Sequence, residues 1–174
     1  MKTIKWTIDS AHSEIQFKVK HLVISTVTGS FTNFTGTVDA PENFDTAQIV
    51  FEADIDSIST NNEQRDGHLK GADFFDTEKF PKLSFSSINF TKDGGEYILE
   101  GDLTIKGVSR NVKFAVEHNG VTKDPWGNVK AGFELTGKIS RKDFGLTWNV
   151  LTETGGAVVS DEVKLIASVQ LLKQ

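Results

Sequence analysis

The chain alternates. In "SEIQFKVKH", Ile15, Phe17, Val19 and His21 fall on one face, while Glu14, Gln16, Lys18 and Lys20 fall on the other. A period of two with one wet face is the pattern of a half-buried antiparallel strand. It recurs with Ile49, Phe51, Ala53 and Ile55, and with Tyr97, Leu99, Leu103 and Ile105. Val112, Phe114 and Val116 repeat it, as do Val129, Ala131, Phe133, Leu135 and Ile139, and finally Val163, Leu165, Ala167, Val169 and Leu171. Turn signals part these runs: "APENFDT" before Ile49, "DGGE" at 93–96, Gly107 in "IKGVSRN", and the longer "HNGVTKDPWGN". With "SFTNFTGTV" and "LSFSSINF", about eight short-connected strands result, the pattern of an all-β barrel or sandwich. In "FTNF", Phe31 and Phe34 stand three apart, so a bulge is needed for both rings to point inward.

One stretch breaks the rule. Residues 59–76, "STNNEQRDGHLKGADFFD", crowd Arg65, Asp66, His68 and Lys70 just ahead of Phe74 and Phe75. Thr60 and Glu63 have capping-box spacing and Gly71 is a natural stop, which predicts a short helix over about 60–71. Gly67 inside it costs about 1 kcal/mol relative to alanine, so Leu69, Phe74 and Phe75 must anchor the helix against the rest. A lone helix among strands closes one end of a barrel or lies across its wall.

Size and charge narrow the classes. A chain of 174 residues is read as a single domain, 1–174. A net charge of −5 without a basic block argues against a nucleic-acid partner. No apolar run reaches the ~18 residues a membrane helix needs. The opening "MKTIKWTID" has no signal-type apolar core, so a cytoplasmic location is expected, or a periplasmic or secreted one if a leader was removed. There are 13 Phe against one Tyr and three Trp. Phenylalanine presents a ring without a polar end that needs a partner, which suits a surface touching hydrocarbon. Composition alone leaves an ordinary Phe-rich core equally open.

Catalytic and metal signatures are thin. His12 and His21 are nine apart, on opposite faces of any continuous strand. His68 and His118 lack partners at ligand spacing, so no metal is expected. There is no cysteine, no nucleophile elbow and no glycine-rich phosphate loop opening a helix. Ser13 beside His12 points the opposite way on a strand. The alternative to a binding role is an enzyme acting on an apolar substrate through Arg65, Asp66 and His68. Near the C-terminus, Arg141 and Asp143, then Phe144 and Trp148, precede a long connection ending at Gly155-Gly156. It reads equally as the rim of an opening or as a surface crossover.

Taken in order, several fragments resemble the YceI-like family of polyisoprenoid-binding, lipocalin-like proteins. They are "WTIDSAHSEIQFKVKHL" (6–22), "TGSFTNFTGTV" (28–38), "IDSISTNNEQRDGHLKGADFFDTEKFPKLSFSS" (55–87), "LEGDLTIKGVSRNV" (99–112), "SRKDFGL" (140–146) and "VSDEVKL" (159–165). The resemblance implies an eight-stranded antiparallel lipocalin-like barrel with one short helix near one end, enclosing an apolar cavity. It further implies a non-catalytic carrier of a long isoprenoid or similar amphiphile, of the polyprenyl, quinone or prenyl phosphate class, with no other cofactor. Many members are exported and dimeric, which leaves room for a homodimer and for transient contact with a membrane surface. On this reading Phe17, Val19, Phe31, Phe34, Leu69, Phe74, Phe75, Phe85, Phe114, Phe133, Phe144 and Trp148 line the cavity. His21, Arg65, His68 and Lys70 stand where a head group would be met.

Overall fold

The structure is a computed structural model, which describes residues 3–22, 24–148 and 159–174. The alternating runs become strands: β1 (Ile4–Ile8), β2 (Glu14–His21), β3 (Ser25–Phe31), β4 (Phe34–Ala40), β5 (Gln48–Asp54) and β6 (Ile58–Ser59). The helix α1 (Glu63–Lys70) follows, then β7 (Lys82–Asp93), β8 (Glu96–Ile105), β9 (Val108–Lys123), β10 (Val129–Ser140) and β11 (Val159–Lys173). None of the described helices is long and apolar enough to cross a membrane.

These eleven segments make an eight-stranded closed barrel, because three of its staves are interrupted. β1 and β2 form one stave, broken by a single turn of 3-10 helix at Ser10–His12 that the Asp9 side chain caps. β3 and β4 form the second, broken at Thr32 and Asn33, and β5 and β6 the third, broken at Ile55–Ser57. Neighbouring breaks are stitched together: Asp54 N donates to Asn33 O at 2.9 Å, and Thr32 N to Ser57 O at 3.4 Å. Each stave pairs antiparallel with the next in sequence. β11 then closes the ring, setting Leu165 opposite Phe17 of β2 and Leu171 opposite Ile8 of β1. The ring is closed through β1, which pairs with both β4 and β11, while β6 is bonded to β3 alone. The break in "FTNF" is thus a lapse between two strands rather than a bulge within one, and both rings are buried.

The hairpins follow the local chemistry. Gly94 (φ 64°) and Gly95 join β7 to β8, and Lys106 and Gly107 (φ 53° and 75°) join β8 to β9. Positive φ at the first central position (Gly94) or at both (Lys106 and Gly107) gives the twist-matched turns of tight hairpins. The "HNG" stretch does not end its strand. β9 runs on to Lys123, and the register slips by one residue between Gly132 and Phe133 opposite Asn119. The turn lies at Asp124–Asn128, where the Asp124 carboxylate accepts from Trp126 N and Asn128 N, each at 2.9 Å.

The two barrel ends differ. At one, the 41–47 loop folds inward and places Phe44, 2% exposed with φ 63°, among Trp6, His118 and Phe133 at centroid distances of 5.1 to 5.3 Å. Tyr97 Oη fastens the loop by donating to Asn43 O at 3.0 Å. At the other end lies α1, as expected, with different caps. Asn62 is the N-cap, its side chain accepting from Arg65 N, and Gly71 closes the helix in extended backbone. Thr60 stands outside the helix, held by Asp66 through its backbone N (2.8 Å) and its hydroxyl (2.6 Å).

Candidate functional site

Between the plug at Phe44 and the helix lies a cavity of about 590 Å³. Its wall is built from the inward faces already read as strand alternation: Ile15, Phe17 and Val19 of β2, Leu99 and Leu103 of β8, Leu135 and Ile139 of β10, Val163, Leu165 and Val169 of β11. Volume and lining match those of small-molecule cavities, which run to about 300–1,000 Å³ with few polar groups.

A barrel rich in phenylalanine stays hollow because several rings lie against the wall. An added Cβ at Gly29 would meet the Phe17 ring at 2.2 Å, one at Gly101 the Phe85 ring at 2.5 Å, and one at Gly137 the Phe114 ring at 2.7 Å. Each glycine sits on the inner face of a neighbouring strand and has no side chain, so the ring folds flat over it. The lumen is therefore bounded by ring faces rather than crossed by rings.

Of the side chains expected at the cavity, Phe17, Val19, Phe31, Leu69, Phe74, Phe75, Phe85, Phe114, Phe133 and Trp148 line it, with His21, Arg65 and His68. Three do not. Phe34 is buried, but packs against Phe51 at 6.0 Å beside the break between β3 and β4, outside the lining. Phe144 is 1% exposed at the end of the 3-10 turn Arg141–Phe144, part of the buried core but outside the lining. Lys70 turns away to an ion pair with Asp56 at 3.7 Å. Alternation fixes the face of a strand residue, but not where a residue in a break or turn projects. Most of the connection ending at Gly155-Gly156 lies outside the described residues.

Several contributors carried weaker signals. Phe44 sits in a polar turn sequence with no periodicity around it, and its isolation as an aromatic was the only hint. Arg141 resembled a strand flank, yet is 2% exposed at the cavity wall. Its guanidinium donates to Leu146 O (2.6 Å), Trp148 O (2.8 Å), Ser160 O (2.9 Å) and Val159 O (3.2 Å), and faces Asp161 at 3.6 Å. That fills its donor fork and ties the chain at 146–148 to the start of β11. Burial pulls its pKa down from the usual value, and the Asp161 charge resists.

The mouth is polar. Arg65 donates through Nε to Thr60 Oγ1 and through Nη2 to Thr60 O, both at 2.7 Å. His68 stands edge-on to Trp148 at 4.6 Å and Phe74 at 5.5 Å, with Nε2 3.5 Å from Asp73. Arg65 and Asp66 thus meet at Thr60 and His68 does not join them, so the three form no single acid–base relay. Among the described residues no three His, Asp or Glu side chains gather as a metal site.

At the closed end, His118 stacks on Phe133 at 4.5 Å and 12°, opposite it in the ladder. Among the described residues its buried Nε2 has no hydrogen-bond partner, nor has Nε1 of Trp6. Burial lowers the imidazole pKa from its usual value, against the pull of a hydrogen bond to the Gly120 backbone.

A closed eight-stranded antiparallel barrel, with a hollow apolar lumen and a polar mouth at the helix end, is a lipocalin-like binding architecture. The chain matches the YceI-like domain over residues 6–171, and it belongs to that family. A UPF0312 protein of Staphylococcus aureus strain MSSA476 is 42% identical to it over 167 residues, 95% of each chain. The Campylobacter jejuni YCEI protein, in a crystal form with large solvent channels, is 34% identical with a TM-score of 0.74, covering 90% of this chain and 91% of its own. Two more distant structures share the fold. Burkholderia cenocepacia BcnA is 23% identical with a TM-score of 0.78, covering 94% of this chain and 98% of its own. A polyisoprenoid binding domain from Saccharophagus degradans is 13% identical with a TM-score of 0.67, covering 98% and 99%.

Proposed function

We propose that the protein is a non-catalytic carrier that holds one long-chain isoprenoid or similar amphiphile in the barrel, tail inward and head at the α1 end. The observation that carries this reading is the cavity of about 590 Å³, walled by aliphatic and aromatic side chains and closed at one end by Phe44. Membership of the YceI-like family supports it, as does a shared fold with a domain described as polyisoprenoid-binding.

The magnitudes suit a carrier. Each methylene removed from water contributes about 0.8 kcal/mol, so a five-carbon unit contributes roughly 4 kcal/mol before the costs of ordering and association. The same tail is already dehydrated in a membrane, which makes transfer from bilayer to barrel nearly neutral and release feasible.

Native mass spectrometry before and after organic extraction of the purified protein tests the reading. A single co-purified lipid per barrel, replaced by an added prenyl alcohol, is the expected result. Protein that carries nothing and takes up no prenyl compound counts against it.

A further inference from the structure

We infer that the cargo's head carries an anionic oxygen group, a carboxylate or phosphate, and that Arg65 receives it; this rests on the carrier reading above. The sign of the lining points there. The chain has 24 acidic residues against 19 basic ones, yet no Asp or Glu is among the described residues that line the cavity, while Lys20, Arg65 and Arg141 all do.

These three cations are not equivalent. Arg141 is saturated by four carbonyls and Asp161, so its role is to fasten the wall. Lys20 is exposed on the rim, where water and salt screen it. Arg65 is half-buried, and among the described residues no carboxylate lies within ion-pair distance of it. Two of its N–H groups go to Thr60, which is 5% exposed and itself anchored by Asp66. The guanidinium is therefore held on one edge, and its Nη1 edge is left without a protein acceptor among the described residues.

A cation beside an apolar lumen loses hydration that only an anion or acceptor restores. A guanidinium already pinned in place meets an oxyanion with little further ordering, and its planar fork matches carboxylate and phosphate oxygens. Asp66 stands behind Thr60 with Oδ1 occupied twice, outside the lining, so it steadies Arg65 without taking its free edge. The other polar groups beside Arg65 in the lining, Asn62, Gln64 and His68, bring N–H donors and no negative charge. A quaternary ammonium head finds no counter-ion among the described residues of the lining.

Three probes with one sixteen-carbon tail isolate the head: hexadecanoate, hexadecanol and hexadecyltrimethylammonium, each titrated into delipidated protein at pH 8 below its micellar concentration. Hexadecanoate is expected to bind at least about tenfold tighter than hexadecanol, the scale of charge-assisted hydrogen bonds, with the ammonium weakest. Arg65→Gln should collapse the acid-to-alcohol ratio towards one, and Arg65→Lys should restore part of it. Gln64→Glu, at an exposed helix position, places a carboxylate at the mouth and should reverse the preference towards the ammonium. Circular dichroism confirms that each variant is folded. A native ratio near one, or a ratio that Arg65→Gln leaves intact, overturns this inference and spares the carrier reading. Failure of all three probes to bind overturns both.

Discussion

His118 is a polar group held in an aromatic plug, and its position has a measurable consequence. Protonating it there means placing a charge between Phe44 and Phe133 without a partner for Nε2. Because burial depresses its folded pKa, the unfolded chain binds the proton more readily. The stability it contributes is complete above the ordinary value of 6.5 and is lost as pH falls from there through the folded value. His118→Phe keeps a ring in the stack and should flatten that part of the stability–pH curve, measured by denaturant unfolding at pH 5 to 7.5. An unchanged curve would mean that the imidazole is already solvated. At this scale, the inward face is legible where a residue lies inside a regular strand, as for Phe17 or Phe133. Projection is not legible in a turn, as for Phe44 and Phe144.

At the scale of elements, α1 is the weakest piece. It is eight residues long, below the length at which an isolated helix persists, and Gly67 sits exposed within it. A Cβ at Gly67 would meet nothing within 4 Å. Gly67→Ala should therefore raise stability by about 0.5–1 kcal/mol, seen as a higher melting temperature. A loss of stability would show that the helix needs the glycine for movement or contact. The helix itself was legible from polar crowding, Gly71 and the apolar anchors after it. Its first residue was not, because Thr60, Asn61 and Asn62 all have side chains able to cap, and Asp66 takes Thr60 for another purpose.

At the scale of the molecule, the period of two and the spaced turns made the strand count readable. The interrupted staves were hidden, since "FTNF" read as a bulge within one strand and Ile55 as the continuation of another. Hollowness was also beyond reach of the pattern, because the glycines that receive the rings stand on neighbouring strands, far away in sequence. That arrangement is the physical basis of the whole account. The most direct test is a crystal structure with a twenty-carbon prenyl alcohol. The tail should run along the lumen beside Phe17, Phe85 and Phe114, each ring lying on its glycine, and stop at Phe44. Rings swung off Gly29, Gly101 and Gly137 to meet on the axis, with the prenyl chain outside, would contradict it.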